Sequence, residues 1–131
     1  EIMPSLVGSE MCIETVTIRR VKARSSICWV VRLLAAGTLI ENVKIEDIID
    51  TAPKLHHSTI LVGVEPGSKY GEILPENLRN IIIRNVEGNV RNTIDIKGYL
   101  CNAEISEIRS AENGSPVLTH FEGQFENVSI H

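Results

Sequence analysis

The chain has 131 residues, of which 43% are hydrophobic, 23% are charged and 4% are aromatic, and its formal net charge is −4. This length suits one domain, and the composition favours a packed aliphatic core over a disordered chain. The acidic balance argues against a general nucleic-acid-binding surface. No apolar run reaches the ~18–20 residues needed to cross a bilayer. We therefore expect a single domain that binds neither nucleic acid nor membrane.

A nine-residue pattern recurs along the chain and predicts a first set of strands. It reads apolar, any, Asn or Thr, apolar, any, Ile, any, any, apolar. Its fourth and sixth positions are apolar among mostly polar neighbours, which is typical of strands that bury one face; Ile82 is the clear exception. In chain order the copies are residues 13–21, 40–48, 78–86 and 100–108, and a fifth begins at residue 125.

A second set of short apolar runs lies between the copies. These runs are Trp29–Val31, Ile60–Val64, Thr93–Gly98 and Pro116–Phe121. A β-hairpin array would not need the same residue types at the same offset in every unit. A stacked coil does need them, because equivalent positions then lie about 4.8 Å apart. We therefore predict an all-β fold in which Val43, Ile81, Ala103 and Val128 are successive neighbours.

Asparagine occupies the third position of the pattern in four copies. Asn tolerates the left-handed backbone of tight bends, and its amide can hydrogen-bond to an amide in the next coil. We therefore predict a structural column formed by Asn42, Asn80, Asn102 and Asn127. The alternative is that Asn before Val or Ile is only a common step from a turn into a strand.

Two groups of residues are candidates for ligand binding. The longest interval between copies, 38 residues, predicts an insertion. There Tyr70 could offer a ring to a sugar, and Lys69 could offer a cation to a carboxylate. Arg20, Lys22 and Arg24 share a face if their strand continues, and they could meet the carboxylates of an acidic polysaccharide. The alternatives are an ordinary exposed turn and a solubilising surface.

The sequence predicts no metal site and no cofactor. Cys12, Cys28 and Cys101 are far apart and form no CxxC pair, so we expect reduced, mostly buried thiols, and one disulfide with one free thiol stays open. His56 and His57 are adjacent and point to opposite sides of an extended segment. They therefore cannot readily bind one metal ion together.

The copies, within phrases such as residues 33–43 and 76–86, resemble rungs of right-handed parallel β-helices. These belong to the pectin-lyase-like superfamily, which includes polygalacturonases, pectate lyases and phage tailspikes. The resemblance spans residues 13–131 and implies a solenoid of about five rungs, with residues 1–12 as a partial rung or cap. A leucine-rich repeat is the rival solenoid, but the chain lacks its leucine signature and its helical return.

What the resemblance implies about function is a polysaccharide partner and an extracellular or periplasmic location. Hydrolysis needs two converging carboxylates, and the aspartates are few. Asp47 and Asp50 fall on a strand end and the following turn, and Asp95 faces outward beside Lys97. The Asn-Thr-Asp, Asp-Asp, Gly-His-Gly and Arg-Ile-Lys segments of polygalacturonases are absent, as is a calcium-binding carboxylate cluster.

We therefore expect part of a carbohydrate-active β-helix protein, of the glycoside hydrolase or polysaccharide lyase type, whose catalytic residues lie on other rungs. The alternative is a non-enzymatic stalk, adhesin or assembly module, and whether the chain is an enzyme is left open. The sequence starts at Glu1 and stops at His131, within a copy of the pattern. We expect a segment of a longer chain, or self-association through the exposed ends of the solenoid.

Overall fold

The computed structural model describes residues 15–24, 29–35, 39–51, 58–64, 78–89, 92–110, 116–120 and 125–131. Within these residues, nine strands form two parallel sheets and there is no helix. The predicted all-β class is therefore confirmed. The first sheet contains, in order, β1 (Val16–Ala23), β3 (Ile40–Asp50), β5 (Leu78–Gly88), β7 (Leu100–Ser110) and β9 (Phe125–Ile130). The second contains, in order, β2 (Val31–Ala35), β4 (Ile60–Val64), β6 (Ile94–Lys97) and β8 (Val117–His120).

Consecutive strands alternate between the two sheets. The copies of the nine-residue pattern supply the first sheet, and the runs between them supply the second. The second strand differs from the prediction, because it begins at Val31 rather than Trp29. The backbone N–H groups of Val30 and Val31 both donate to the Thr59 carbonyl, at 2.8 and 3.3 Å, so this segment bends before the regular ladder starts.

The register between strands of the first sheet is the one that the repeat predicts. Val43 pairs with Ile81, Ile81 with Ala103, and Ala103 with Val128. Equivalent pattern positions therefore lie on neighbouring strands, and the prediction of successive neighbours is confirmed. This register holds inward side chains in continuous columns.

The core lies between the inward faces of the two sheets and is aliphatic. The sixth position of the pattern contributes Ile45, Ile83 and Ile105, which are all fully buried. The second sheet contributes Ile60 and Ile96, which are also fully buried. Branched side chains fit a pleated surface that is buried on one face, so the high isoleucine content suits these strands.

Two columns of residues with positive φ bend the strands of the first sheet. The first column is Asn42 (φ 61°), Asn80 (59°), Asn102 (53°) and Asn127 (60°). The second column is Arg20 (56°), Asp47 (57°), Asn85 (55°) and Glu107 (57°). A residue in the left-handed backbone conformation turns the chain, so apolar side chains three positions apart can both face inward. The second column was not predicted.

In the second sheet, the backbone of β6 occupies the space that a side chain at Gly63 of β4 would need. A Cβ atom added at Gly63 would overlap the carbonyl oxygen of Lys97 and lie 2.9 Å from its carbonyl carbon. Gly63 pairs with Lys97 in the register of these strands. The absence of a side chain at Gly63 is therefore a condition for this packing.

Candidate functional site

A groove with a volume of about 450 Å³ crosses the first sheet beside its first bend. We call it the asparagine groove. It is lined by Thr15, Asn42, Val43, Lys44, Asn80, Ile81, Ile82, Asn102, Ala103, Glu104, Asn127 and Ser129. Because these residues lie on neighbouring strands, the groove runs across the strands from the edge at β1 to the edge at β9.

Asparagine side chains recur along this groove and bond to one another. Asn80 Nδ2 donates to Asn42 Oδ1 at 3.1 Å, and Asn127 Nδ2 donates to Asn102 Oδ1 at 2.9 Å. An amide has two N–H donors and an oxygen with two lone pairs, so each such bond leaves capacity for a ligand. The positive φ holds each amide at the bend, where Asn80, Asn102 and Asn127 are exposed.

The middle of the asparagine groove is apolar at its surface. Ile82 pairs with Lys44 on one side and with Glu104 on the other, and its side chain is 38% exposed. This is the isoleucine that breaks the alternation of the sequence pattern. An exposed aliphatic group between polar ones can pack against the C–H face of a sugar ring while the amides bond to hydroxyls.

A buried carboxylate lies beside the groove. Glu46 is 4% exposed, and its Oε1 is 3.0 Å from Arg84 Nε and 3.6 Å from Lys44 Nζ, while its Oε2 is 3.6 Å from Arg19 Nη1. A carboxylate removed from water needs charged or hydrogen-bonding partners, and these cations supply them. Arg19, Glu46 and Arg84 occupy the same pattern position on β1, β3 and β5.

The second bend also carries a chain of side-chain hydrogen bonds. Asn85 Nδ2 donates to Asp47 Oδ1 at 2.7 Å, and Arg109 Nη2 donates to Asn85 Oδ1 at 2.8 Å. Arg109 Nε also lies 3.6 Å from Glu87 Oε1. A second groove of about 550 Å³ borders this chain, and it is lined by Ile49, Asp50, Thr51, Glu87, Gly88, Asn89, Arg109 and Ser110.

The aspartates lie differently from the prediction in part. Asp50 is the last residue of β3 rather than part of a following turn, because the strand continues past the second bend. It is 2% exposed, and its Oδ2 accepts a hydrogen bond from Thr59 Oγ1 at 3.0 Å. Asp47 is in the second bend, and Asp95 lies between the buried Ile94 and Ile96.

Several predicted site residues are not brought into the groove. Arg20 and Lys22 are exposed on β1 and do not line it. Lys69 and Tyr70 lie outside the described residues, as do His56, His57, Cys12 and Cys28. Ligand binding by Arg20, Lys22, Lys69 and Tyr70 stays a prediction.

The groove itself was missed as a binding surface, because its asparagines were assigned a structural role. An apolar residue at an outward position, Ile82, only two positions after Asn80 in the same copy, could have indicated this surface. The Cys101 thiol is buried, and its Sγ donates to Glu126 Oε1 at 3.3 Å.

Two further findings bear on function. In the part of the chain that the structure describes, no group of three or more His, Cys, Asp or Glu side chains could hold a metal ion. The same residues include no helix with the length and hydropathy to span a membrane. Of the described residues that line the asparagine groove, Glu104 alone is a carboxylate.

No family model, no curated protein and no solved structure matches the chain. The two parallel sheets are compatible with a solenoid. The resemblance to the pectin-lyase-like superfamily therefore rests on the repeat pattern, and no family is assigned.

Proposed function

We propose that the chain forms a right-handed parallel β-helix of about five rungs, similar to those of the pectin-lyase-like superfamily, and that it is part of a carbohydrate-active protein. The alternation of strands between two parallel sheets supports this architecture. Connections between parallel strands of one sheet are right-handed in nearly all proteins, which supports the hand. The proposed role of the asparagine groove is to bind a polysaccharide.

The observation that carries this proposal is the recurrence of amides along the groove. Parallel strands place successive amides about 4.8 Å apart, and the sugar rings of an extended polysaccharide repeat at a similar distance. An amide both donates and accepts hydrogen bonds, as a sugar hydroxyl does. A polymer lying along the groove would therefore meet the same partner on each successive strand.

A non-enzymatic binding or assembly module is the second candidate. Hydrolysis of a glycosidic bond uses a pair of carboxyl groups on either side of the bond. Glu104 is the single carboxylate among the described lining residues, so no such pair is present in that set. This favours binding without cleavage by the described part of the chain.

Isothermal titration calorimetry with soluble polysaccharides tests the groove. Asn102→Gly removes an amide while keeping a residue that adopts positive φ freely, so we expect affinity to fall about tenfold. Asn85→Gly is the matched control, because it makes the same change at the second bend, outside the groove lining. Equal losses in both variants would contradict the assignment of the groove.

A second measurement separates a hydrolase, a lyase and a binding module. Incubation with the bound polysaccharide is followed by assays for new reducing ends and for the absorbance of unsaturated products. Binding with neither signal supports the module. Reducing ends alone indicate hydrolysis, and unsaturated products indicate a lyase.

A further inference from the structure

We infer that the polysaccharide bound in the asparagine groove is uncharged, an inference that rests on the proposed function and names its substrate class. The groove carries opposite charges towards its two ends. A polymer with a charge on every sugar would be attracted by one end and repelled by the other. A neutral polymer meets no such conflict and still finds an amide on each strand.

The side of the groove that extends from β1 to β5 is basic. Lys44 lines the groove, and Arg19 and Arg84 project from the same sheet two positions further along their strands. Glu46 compensates one of these cations, since it contacts each of them at 3.0–3.6 Å. Arg19 and Arg84 are 51% and 53% exposed, so their remaining charge reaches solvent.

The groove is acidic on β7, beyond the middle strand. Glu104 lines the groove and is exposed, and it lies one strand beyond Ile82 and two strands beyond Lys44. Glu107 is exposed on the same strand. Arg109, the cation of β7, is directed to Glu87 and Asn85 on the neighbouring strand rather than to Glu104.

The separation between the basic and acidic groups determines whether one charged sugar interacts with both of them. Lys44 and Glu104 are two strands apart, or about 9.6 Å at the spacing of parallel strands. The Debye length is about 10 Å at an ionic strength of 0.1 M, so one charged sugar at Ile82 would sense both ends. For a polyanion the attraction by Lys44 is then offset by repulsion from Glu104, and for a polycation the two effects are exchanged.

The middle of the groove suits a neutral ring. Ile82, with 38% of its surface exposed, offers an apolar contact between the two charged positions. Asn80 and Asn102 lie on the same two strands as Ile82 and Glu104, and both are exposed. Together they provide apolar packing and hydrogen bonds without a charge.

Titration calorimetry with two soluble polymers tests the inference. Hydroxyethylcellulose is the neutral probe and polygalacturonate is the acidic one. We expect hydroxyethylcellulose to bind at least about tenfold more tightly. Its affinity should be unchanged when the ionic strength rises from about 0.1 M to about 1 M, since the interaction is not between charges.

A charge substitution sharpens the test. Glu104→Lys makes both ends of the groove basic, so we expect this variant to gain salt-sensitive binding of polygalacturonate. Glu87→Lys changes the net charge equally, but Glu87 lines the second groove, so no gain is expected. A gain in both variants would overturn the role of the groove charges.

The remaining outcomes distinguish this inference from the proposed function. If the unmodified chain binds polygalacturonate more tightly than hydroxyethylcellulose, the neutral class is wrong and polysaccharide binding stands. If it binds neither polymer, nor a galactomannan as a second neutral probe, the proposed function fails together with the inference.

Discussion

The two sheets pair in the same parallel manner but differ in what their outer faces carry. In the first sheet, outward positions hold ion pairs and amides, such as those of Glu46 and Asn80. In the second sheet, β4 is buried along its whole length, and Leu61 is 3% exposed although it is not part of the core cluster. The same strand pairing therefore supports an outward face of ion pairs and amides in one sheet and a fully buried strand in the other.

The largest loss of stability should come from a substitution on the inward face of the first sheet, compared with one on its outward face. Ile83 is fully buried, whereas its neighbour Ile82 is 38% exposed. We expect Ile83→Ala to lower the free energy of unfolding by about 4 kcal/mol, because it leaves a cavity. Ile82→Ala should lower it by less than about 1 kcal/mol. Urea denaturation measures both, and equal losses would contradict the assignment of the faces.

The close approach of strands in the second sheet gives the next largest effect. Gly63→Ala places a methyl group against the backbone of Lys97, which cannot move without breaking the ladder. We expect a loss of about 3 kcal/mol in the free energy of unfolding, at the upper end for overpacking. The measurement is again urea denaturation.

Gly88→Ala is the matched control in the first sheet. Its Cβ would lie 2.6 Å from Thr59 Oγ1 and 2.8 Å from Thr93 Oγ1. Moving these side-chain atoms would disturb the hydrogen bond from Thr59 Oγ1 to Asp50 Oδ2 but would leave the backbone ladder in place. We expect a loss of about 1 kcal/mol. A larger loss for Gly88→Ala than for Gly63→Ala would reverse the proposed difference between the sheets.

The buried carboxylate of the first sheet should have an intermediate effect. Glu46→Gln keeps the shape but removes the charge that its neighbouring cations share, so we expect the free energy of unfolding to fall by about 2 kcal/mol. Glu104→Gln, at an exposed position, should change it by less than about 0.5 kcal/mol. Thermal unfolding of both variants at the same pH checks the difference, and matching stabilities would exclude a stabilising role for Glu46.

The smallest expected change in stability concerns the second column of bends, where Arg20 has a positive φ. Arg20 adopts φ 56°, a conformation that an ordinary L-residue adopts at a cost of about 1–2 kcal/mol and that Asn tolerates. We expect Arg20→Asn to raise the free energy of unfolding by about 0.5 kcal/mol. Arg19→Asn should lower it instead, because Arg19 contacts Glu46 from a regular strand position. A loss in both variants, measured by urea denaturation, would contradict the strain at Arg20.

The strands and their register could be predicted because the repeat places the same side chains at the same offsets. Val43 and Ile81 are 38 residues apart in sequence, yet their equivalence is visible in the pattern, and they are paired in the structure. The first column of bends was predictable because asparagine marks it. The second was not, because Arg20, Asp47 and Glu107 are chemically unlike and share only their backbone conformation.

The site was predictable in part. The contact between Glu46 and Arg84 could have been read from opposite charges at one pattern position, once the register was known. The burial of Leu61 could not, because Leu61 alternates with the inward Ile60 and Val62 and would be expected to face solvent. Gly63 gave no signal either, since a lone glycine within an apolar run does not reveal how near the next backbone lies.

The hydrogen bonds between asparagine side chains at the first bend form at the same strand position whatever the length of chain between the two residues. Asn42 and Asn80 are 38 residues apart, and Asn102 and Asn127 are 25 apart, but both pairs meet at the same place on adjacent strands. Connecting segments can therefore lengthen or shorten without displacing a column. Each doubling of a flexible connection costs only about 0.6 kcal/mol of closure entropy. Such a scaffold can acquire new loops during evolution, or receive grafted ones in the laboratory, while the rest of its architecture stays in place.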